Sequence, residues 1–112
     1  MKNPTLIHIK KSKKIYQQRR DYFGYLLNEW FSEDFDFSFP HGGLAFWLES
    51  KNSQLNLMKI SQKCLENKLY IPPNLLYQNQ KESAIRLGFG HLNEQEAEKC
   101  LGILRESMRE IL

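Results

Sequence analysis

The stretch Pro40-His41-Gly42-Gly43-Leu44-Ala45-Phe46-Trp47-Leu48 restricts this chain more than any other. A proline and two glycines turn the backbone. Leu44, Phe46 and Leu48 then alternate with Ala45 and Trp47, and period-two spacing marks a strand with two unlike faces. Glycine lacks a Cβ, so the pair can hold a turn with φ > 0 or leave room for a ligand beside the backbone. A tight turn into a core strand would use the same residues.

A second alternating stretch runs from Ala84 to Gly90. Ile85, Leu87 and Phe89 share one face; Ala84, Arg86, Gly88 and Gly90 share the other. If the second face were core, Arg86 would need a partner, because its guanidinium keeps its charge. If the face lines a cleft, its small neighbours leave room for a ligand carboxylate to take the guanidinium fork bidentately. A structural salt bridge or a plain exposed face would also account for it.

The remaining elements follow from periodicity. Thr5 to Phe31 reads as one amphipathic helix, with Ile9, Tyr16, Phe23 and Trp30 at seven-residue spacing beside Leu26 and Leu27. Its other face carries Lys10, Lys13, Lys14, Arg19 and Arg20, which suits solvent or phosphate. Phe35, Phe37 and Phe39 alternate with Asp36 and Ser38 as a short strand, antiparallel to the strand from Leu44 to Glu49. A second helix spans Gln54 to Glu66, with Leu57, Met58, Ile60, Cys64 and Leu65 as its apolar side and Asn67 as an αL cap. Leu69-Tyr70-Ile71 reads as a very short strand stopped by Pro72-Pro73, and Asn74 to Ser83 as a loop. Asn93 and Glu96 have capping-box spacing. They open a last helix with Ala97, Cys100, Leu101, Leu104, Met108 and Ile111 as its stripe.

The order α-β-β-α-β-β-α predicts an α+β two-layer domain: a small, mainly antiparallel sheet with helices on one face. The other face, with Ala45, Trp47 and Arg86, is left over. An uncovered sheet face calls for a partner or a ligand cleft.

Length and composition restrict the function classes. The 112 residues fit one small domain, and 41% hydrophobic with 26% charged residues is a folded profile, not a disordered one. No apolar run is long enough for a bilayer, and the first residues lead into no signal-peptide core, so a cytoplasmic protein without a membrane partner is expected. Cys64 and Cys100 form no metal or redox spacing and fall in helical stripes as reduced cysteines. The net charge of +3 does not by itself argue for nucleic acid. There is no P-loop, G-x-G-x-x-G, G-x-S-x-G or H-E-x-x-H motif. His8, His41 and His91 lack metal-ligand spacing, so no metal is expected. Nothing marks a self-sufficient enzyme.

Four motifs in order carry a family likeness: Tyr16-x-x-Arg19-Arg20-Asp21; Pro40-x-Gly42-Gly43-Leu44-x-x-Trp47-Leu48; Ile85-Arg86-Leu87-Gly88-Phe89; and the acidic helix start Asn93-Glu94-x-Glu96. Together they resemble the C-terminal small domain of fold-type I aminotransferases, most of all the aminotransferase-like domain of MocR-type regulators in the GntR family. The likeness spans nearly the whole chain. It implies a longer parent, with this chain (residues 1–112) as its small domain, either an expressed fragment or a truncated reading frame. In such a parent a large domain holds pyridoxal phosphate on a lysine, and the small domain closes the cleft. Arg86 matches the arginine that grips an amino-acid carboxylate, and Gly42 and Gly43 match a glycine pair near the cleft mouth.

The likeness further implies a homodimer, DNA bound through a winged-helix segment outside this chain, and an amino-acid effector. No cofactor and no catalytic residue are expected in the chain alone. A genuine aminotransferase small domain, or a stand-alone basic nucleic-acid module, would be the alternatives. One departure stands out: Pro72-Pro73-Asn74 occupies a place where Pro-Gly is usual.

Overall fold

The computed structural model describes residues 4–111, with side chains from Lys13 onward. The order is α1 (Pro4–Phe31), β1 (Phe35–Asp36), β2 (Ala45–Ser50), α2 (Leu57–Glu66), a 3-10 turn (Pro73–Leu75), β3 (Leu76–Gln78), β4 (Ser83–Gly88) and α3 (Glu94–Ile111). The strands form one antiparallel sheet in the order β1-β2-β4-β3. The helices pack on one face of it, with α3 touching both α1 and α2. This is the α+β two-layer architecture expected.

The core sits between those layers. Phe46 and Leu48 from β2 and Ile85 from β4 point into it, joined by Phe89 just beyond β4. From the helices come Phe23, Leu27, Ile60, Cys64, Leu101 and Leu104. The Phe46 ring lies within 5.4–6.2 Å, centroid to centroid, of Phe23, Phe37, Phe39 and Phe89. Offset and edge-on aromatic contacts of this kind add to the gain from burial. Gly24 in α1 has a packing reason: a Cβ there would run into the Phe39 ring.

The N-termini of α2 and α3 are both capped by asparagine side chains. The Asn93 side chain accepts from Glu96 N at 2.8 Å, and Glu96 accepts from Asn93 N at 3.0 Å, a reciprocal capping box. The second helix starts later than expected, because Asn56 caps it by accepting from Lys59 N.

Several expectations are corrected. Only Phe35 and Asp36 pair with β2; the chain then leaves the ladder, so Phe37 and Phe39 fold over Phe46 instead of extending β1. Leu44 is 58% exposed, not part of the buried stripe, because β2 begins at Ala45 and Leu44 packs beside Gly90. Met58 and Leu65 are exposed, since the buried stripe of α2 is the narrower set Leu57, Ile60 and Cys64. Asn67 does not take the αL conformation; its φ is −89°, and Lys68 takes the positive φ of 71° one residue later. Asn67 instead donates its side-chain amide to the buried Ser107 hydroxyl at 3.0 Å, tying α2 to α3.

Leu69-Tyr70-Ile71 forms no strand, whereas Leu76–Gln78, inside the expected loop, does. Pairing with β4 and the side chain of Gln78 explain the latter. Gln78 donates to Leu55 O at 2.9 Å and accepts from Leu57 N at 3.1 Å, which fixes β3 against the start of α2.

Candidate functional site

The outer face of the sheet is built on β4, which lies between β2 and β3. Phe89 N donates to Leu44 O at 2.9 Å. Bonded and non-bonded pairs alternate along an antiparallel ladder, so Trp47 and Arg86 form a non-hydrogen-bonded pair, with Cα atoms about 4.5 Å apart. The two side chains therefore rise next to each other. Tyr77 stands on β3 opposite Ala84, two residues before Arg86. The Trp47 and Tyr77 rings meet at a centroid distance of 4.7 Å, although their strands flank β4 on opposite sides.

The aromatic pair thus closes over β4 at Ala84. That explains why Ala84 is fully buried on a face where Arg86 is exposed, against the expectation that both would share an open surface. On the other side of Arg86 the next pair along is Ala45 and Gly88, both small. Among the described residues, Arg86 enters no salt bridge, no side-chain hydrogen bond and no cation–π contact. Its charge is therefore solvated and available, with an aromatic wall on one side and a low floor on the other.

The motif residues come together at the end of this face. Tyr16 Oη donates to Gly43 O at 2.8 Å, and Arg19 Nη1 donates to Gly90 O at 2.6 Å. Gly42 and Gly43 have no positive φ, so the turn does not use that freedom. A Cβ at either glycine would meet nothing within 4 Å, so the backbone there is open to solvent. Arg20 pairs with Asp21 at 2.9 Å and lies over the Tyr16 ring at 5.8 Å. Arg19 is therefore engaged in joining α1 to the residues after β4, whereas the contacts of Arg20 stay within α1. Lys13 and Lys14 are exposed, and the Lys10 side chain lies outside the described residues.

A cavity of about 470 Å³ lies between the end of α1 and α3 and shares no residue with the Arg86 face. An apolar groove of about 290 Å³ runs behind β4, lined in part by Tyr70, Pro72, Leu87 and Gly88. Both cysteines are free. Burial pushes the Cys64 thiol up, opposed by a hydrogen bond with Ser107; burial and then Glu96 push Cys100 up. No cluster of His, Cys, Asp or Glu among the described residues could hold a metal, and no described helix is long and apolar enough to cross a membrane.

No protein-family model matches the sequence, and no curated protein gives a significant match. Solved structures do. The chain superposes on the α-aminoadipate aminotransferase of Thermus thermophilus, complexed with N-(5'-phosphopyridoxyl)-L-leucine, with a TM-score of 0.71 at 16% identity over 88% of this chain and 25% of the other. For the kynurenine aminotransferase of Pyrococcus horikoshii, in complex with PMP, the values are 0.74, 20%, 94% and 26%. For the multiple substrate aminotransferase of Thermococcus profundus they are 0.75, 21%, 92% and 26%. The fold is shared with these aminotransferases. The chain spans about a quarter of the length of each. At such identities the likeness establishes the fold, and the aminotransferase-like small-domain architecture read from the motifs is the one observed.

Proposed function

We propose that this chain is the carboxylate-holding small domain of a larger aminotransferase-like protein, and that the larger protein is a cytoplasmic regulator of the MocR type. The observation that carries the reading is Arg86: an unpaired guanidinium on a sheet face that no described helix covers. A charged hydrogen bond to a carboxylate is among the stronger polar contacts, and the fork takes two. Gly42 and Gly43 add open backbone at the edge of the same region.

Pyridoxal phosphate belongs to the absent large domain in this reading. The described outer face bears Arg86, Trp47, Tyr77 and Glu49, and Lys51 at its β1 edge is taken up by Ser32 O at 2.8 Å and Asp36 at 4.0 Å, so the face does not fit the cofactor by itself. Effector binding then acts through domain closure, driven by tighter contact in the closed state. The dimer and the DNA contact lie in the parts of the parent outside this chain. The loop near the substrate differs from the one the resemblance implies, with a 3-10 turn at Pro73–Leu75 where Pro-Gly is usual, which bears on ligand identity. The aminotransferase alternative is favoured by the names of the three matched structures. Saturable amino-acid binding without amino transfer to a keto acid supports the regulator; turnover by the intact protein assigns it to the enzymes.

The anchor is tested by Arg86→Ala in the intact protein. Affinity for a carboxylate ligand should fall about ten- to a hundredfold, with the decarboxylated analogue unaffected. Equal losses for both would remove the role. The isolated chain, titrated with pyridoxal phosphate, should give no saturable spectral change.

A further inference from the structure

We infer that the carboxylate held by Arg86 belongs to a ligand with an aromatic side chain, which stacks against the Trp47–Tyr77 pair. The inference deepens the anchor reading above and rests on it. Trp47 is 44% exposed and Tyr77 43%, so two large rings stand side by side on an open sheet face. Their centroids are 4.7 Å apart, so each ring is braced by the other. A wall that needs no ordering on binding favours affinity.

The register supplies the direction. Trp47 is the cross-strand neighbour of Arg86, so a carboxylate in the guanidinium fork has the indole immediately beside it. The guanidinium does not lie over either ring, which leaves the wall unclaimed by the anchor itself. Ala45 and Gly88, the next pair on the other side, offer no side chain large enough to hold a ligand. Glu49, exposed two residues beyond Trp47 on the same face, disfavours a second carboxylate on the ligand's far end. Charge, one-sided apolar wall and acidic limit together select a monocarboxylate carrying a flat ring.

The experiment measures L-phenylalanine and L-alanine binding to the intact protein in four forms: unsubstituted, Arg86→Ala, Trp47→Leu and Trp47→Phe. The unsubstituted protein should prefer phenylalanine. Trp47→Leu should lower the phenylalanine-to-alanine affinity ratio by about fivefold to tenfold, and Trp47→Phe should restore most of it. Arg86→Ala should weaken both ligands together and leave the ratio in place. If Trp47→Leu leaves the ratio unchanged while Arg86→Ala weakens both, the aromatic assignment is wrong and the anchor stands. If Arg86→Ala weakens neither, the anchor reading falls and this inference falls with it.

Discussion

Phe46 and Trp47 are adjacent in the chain and opposite in circumstance. Phe46 is fully buried, with four aromatic rings around it; Trp47 stands nearly half exposed, with one ring partner, beside an arginine that has none. The pleat alone separates them. On the inner face every group is matched to another within the chain. On the outer face the Arg86 charge is unmatched among the described residues, and two rings that meet each other keep much of their surface exposed. Trp47 and Tyr77 cover Ala84, but Arg86 makes no contact of this kind that the fold would need. The arginine is the member of this group for which the described chain supplies no partner.

The contrast predicts a steep difference in stability. Phe46→Ala should destabilise the chain by about 3–5 kcal/mol in urea unfolding, through lost transfer energy and a cavity among the rings. A loss under about 1 kcal/mol would break the comparison. Ser83, fully buried at the start of β4, donates to Ser53 O at 3.1 Å and Leu55 O at 3.2 Å; because Leu55 O keeps its bond from Gln78 and Ser53 is exposed, Ser83→Ala should cost only about 1 kcal/mol. Asn93→Ala, which opens the capping box of α3, should cost about 1 kcal/mol. Arg86→Ala should change stability by less than about 0.5 kcal/mol, because nothing in the fold depends on it. A larger loss would give Arg86 a structural partner and weaken its claim to be an anchor.

The smallest effect concerns pH. The raised thiol of buried Cys64 stays protonated in the fold while the unfolded chain ionises near its ordinary value. Its contribution is complete below about pH 8.5 and is lost as pH rises toward the folded value. Cys64→Ala should flatten the alkaline limb of a stability profile slightly. Cys100, partly exposed, should react with iodoacetamide before Cys64 in the folded chain.

The parts legible in the sequence were those decided by local chemistry. Asn93 and Glu96 announce the start of α3, and the alternation through Phe46, Leu48 and Ile85 separates the two faces of the sheet. Arg86 could be placed on the outer face from spacing alone. What escaped depends on partners distant in the chain. Leu69-Tyr70-Ile71 has the composition of a strand but no ladder to join, whereas polar Gln78 sits in one because its side chain spans to Leu55 and Leu57. Ala84 was read as open because its roof, Trp47 against Tyr77, comes from strands 30 residues apart. Tyr77 carries no local signal for the same reason, since the polar sequence around β3 has the composition of a loop.

The bonds from Tyr16 to Gly43 and from Arg19 to Gly90 have a mechanical consequence. They clamp one helix to the residues just before β2 and just after β4, so α1 and the two central strands cannot slide past each other while both bonds hold. The position of α1 is thereby tied to both ends of the ladder that carries Arg86, the strand pair β2 and β4.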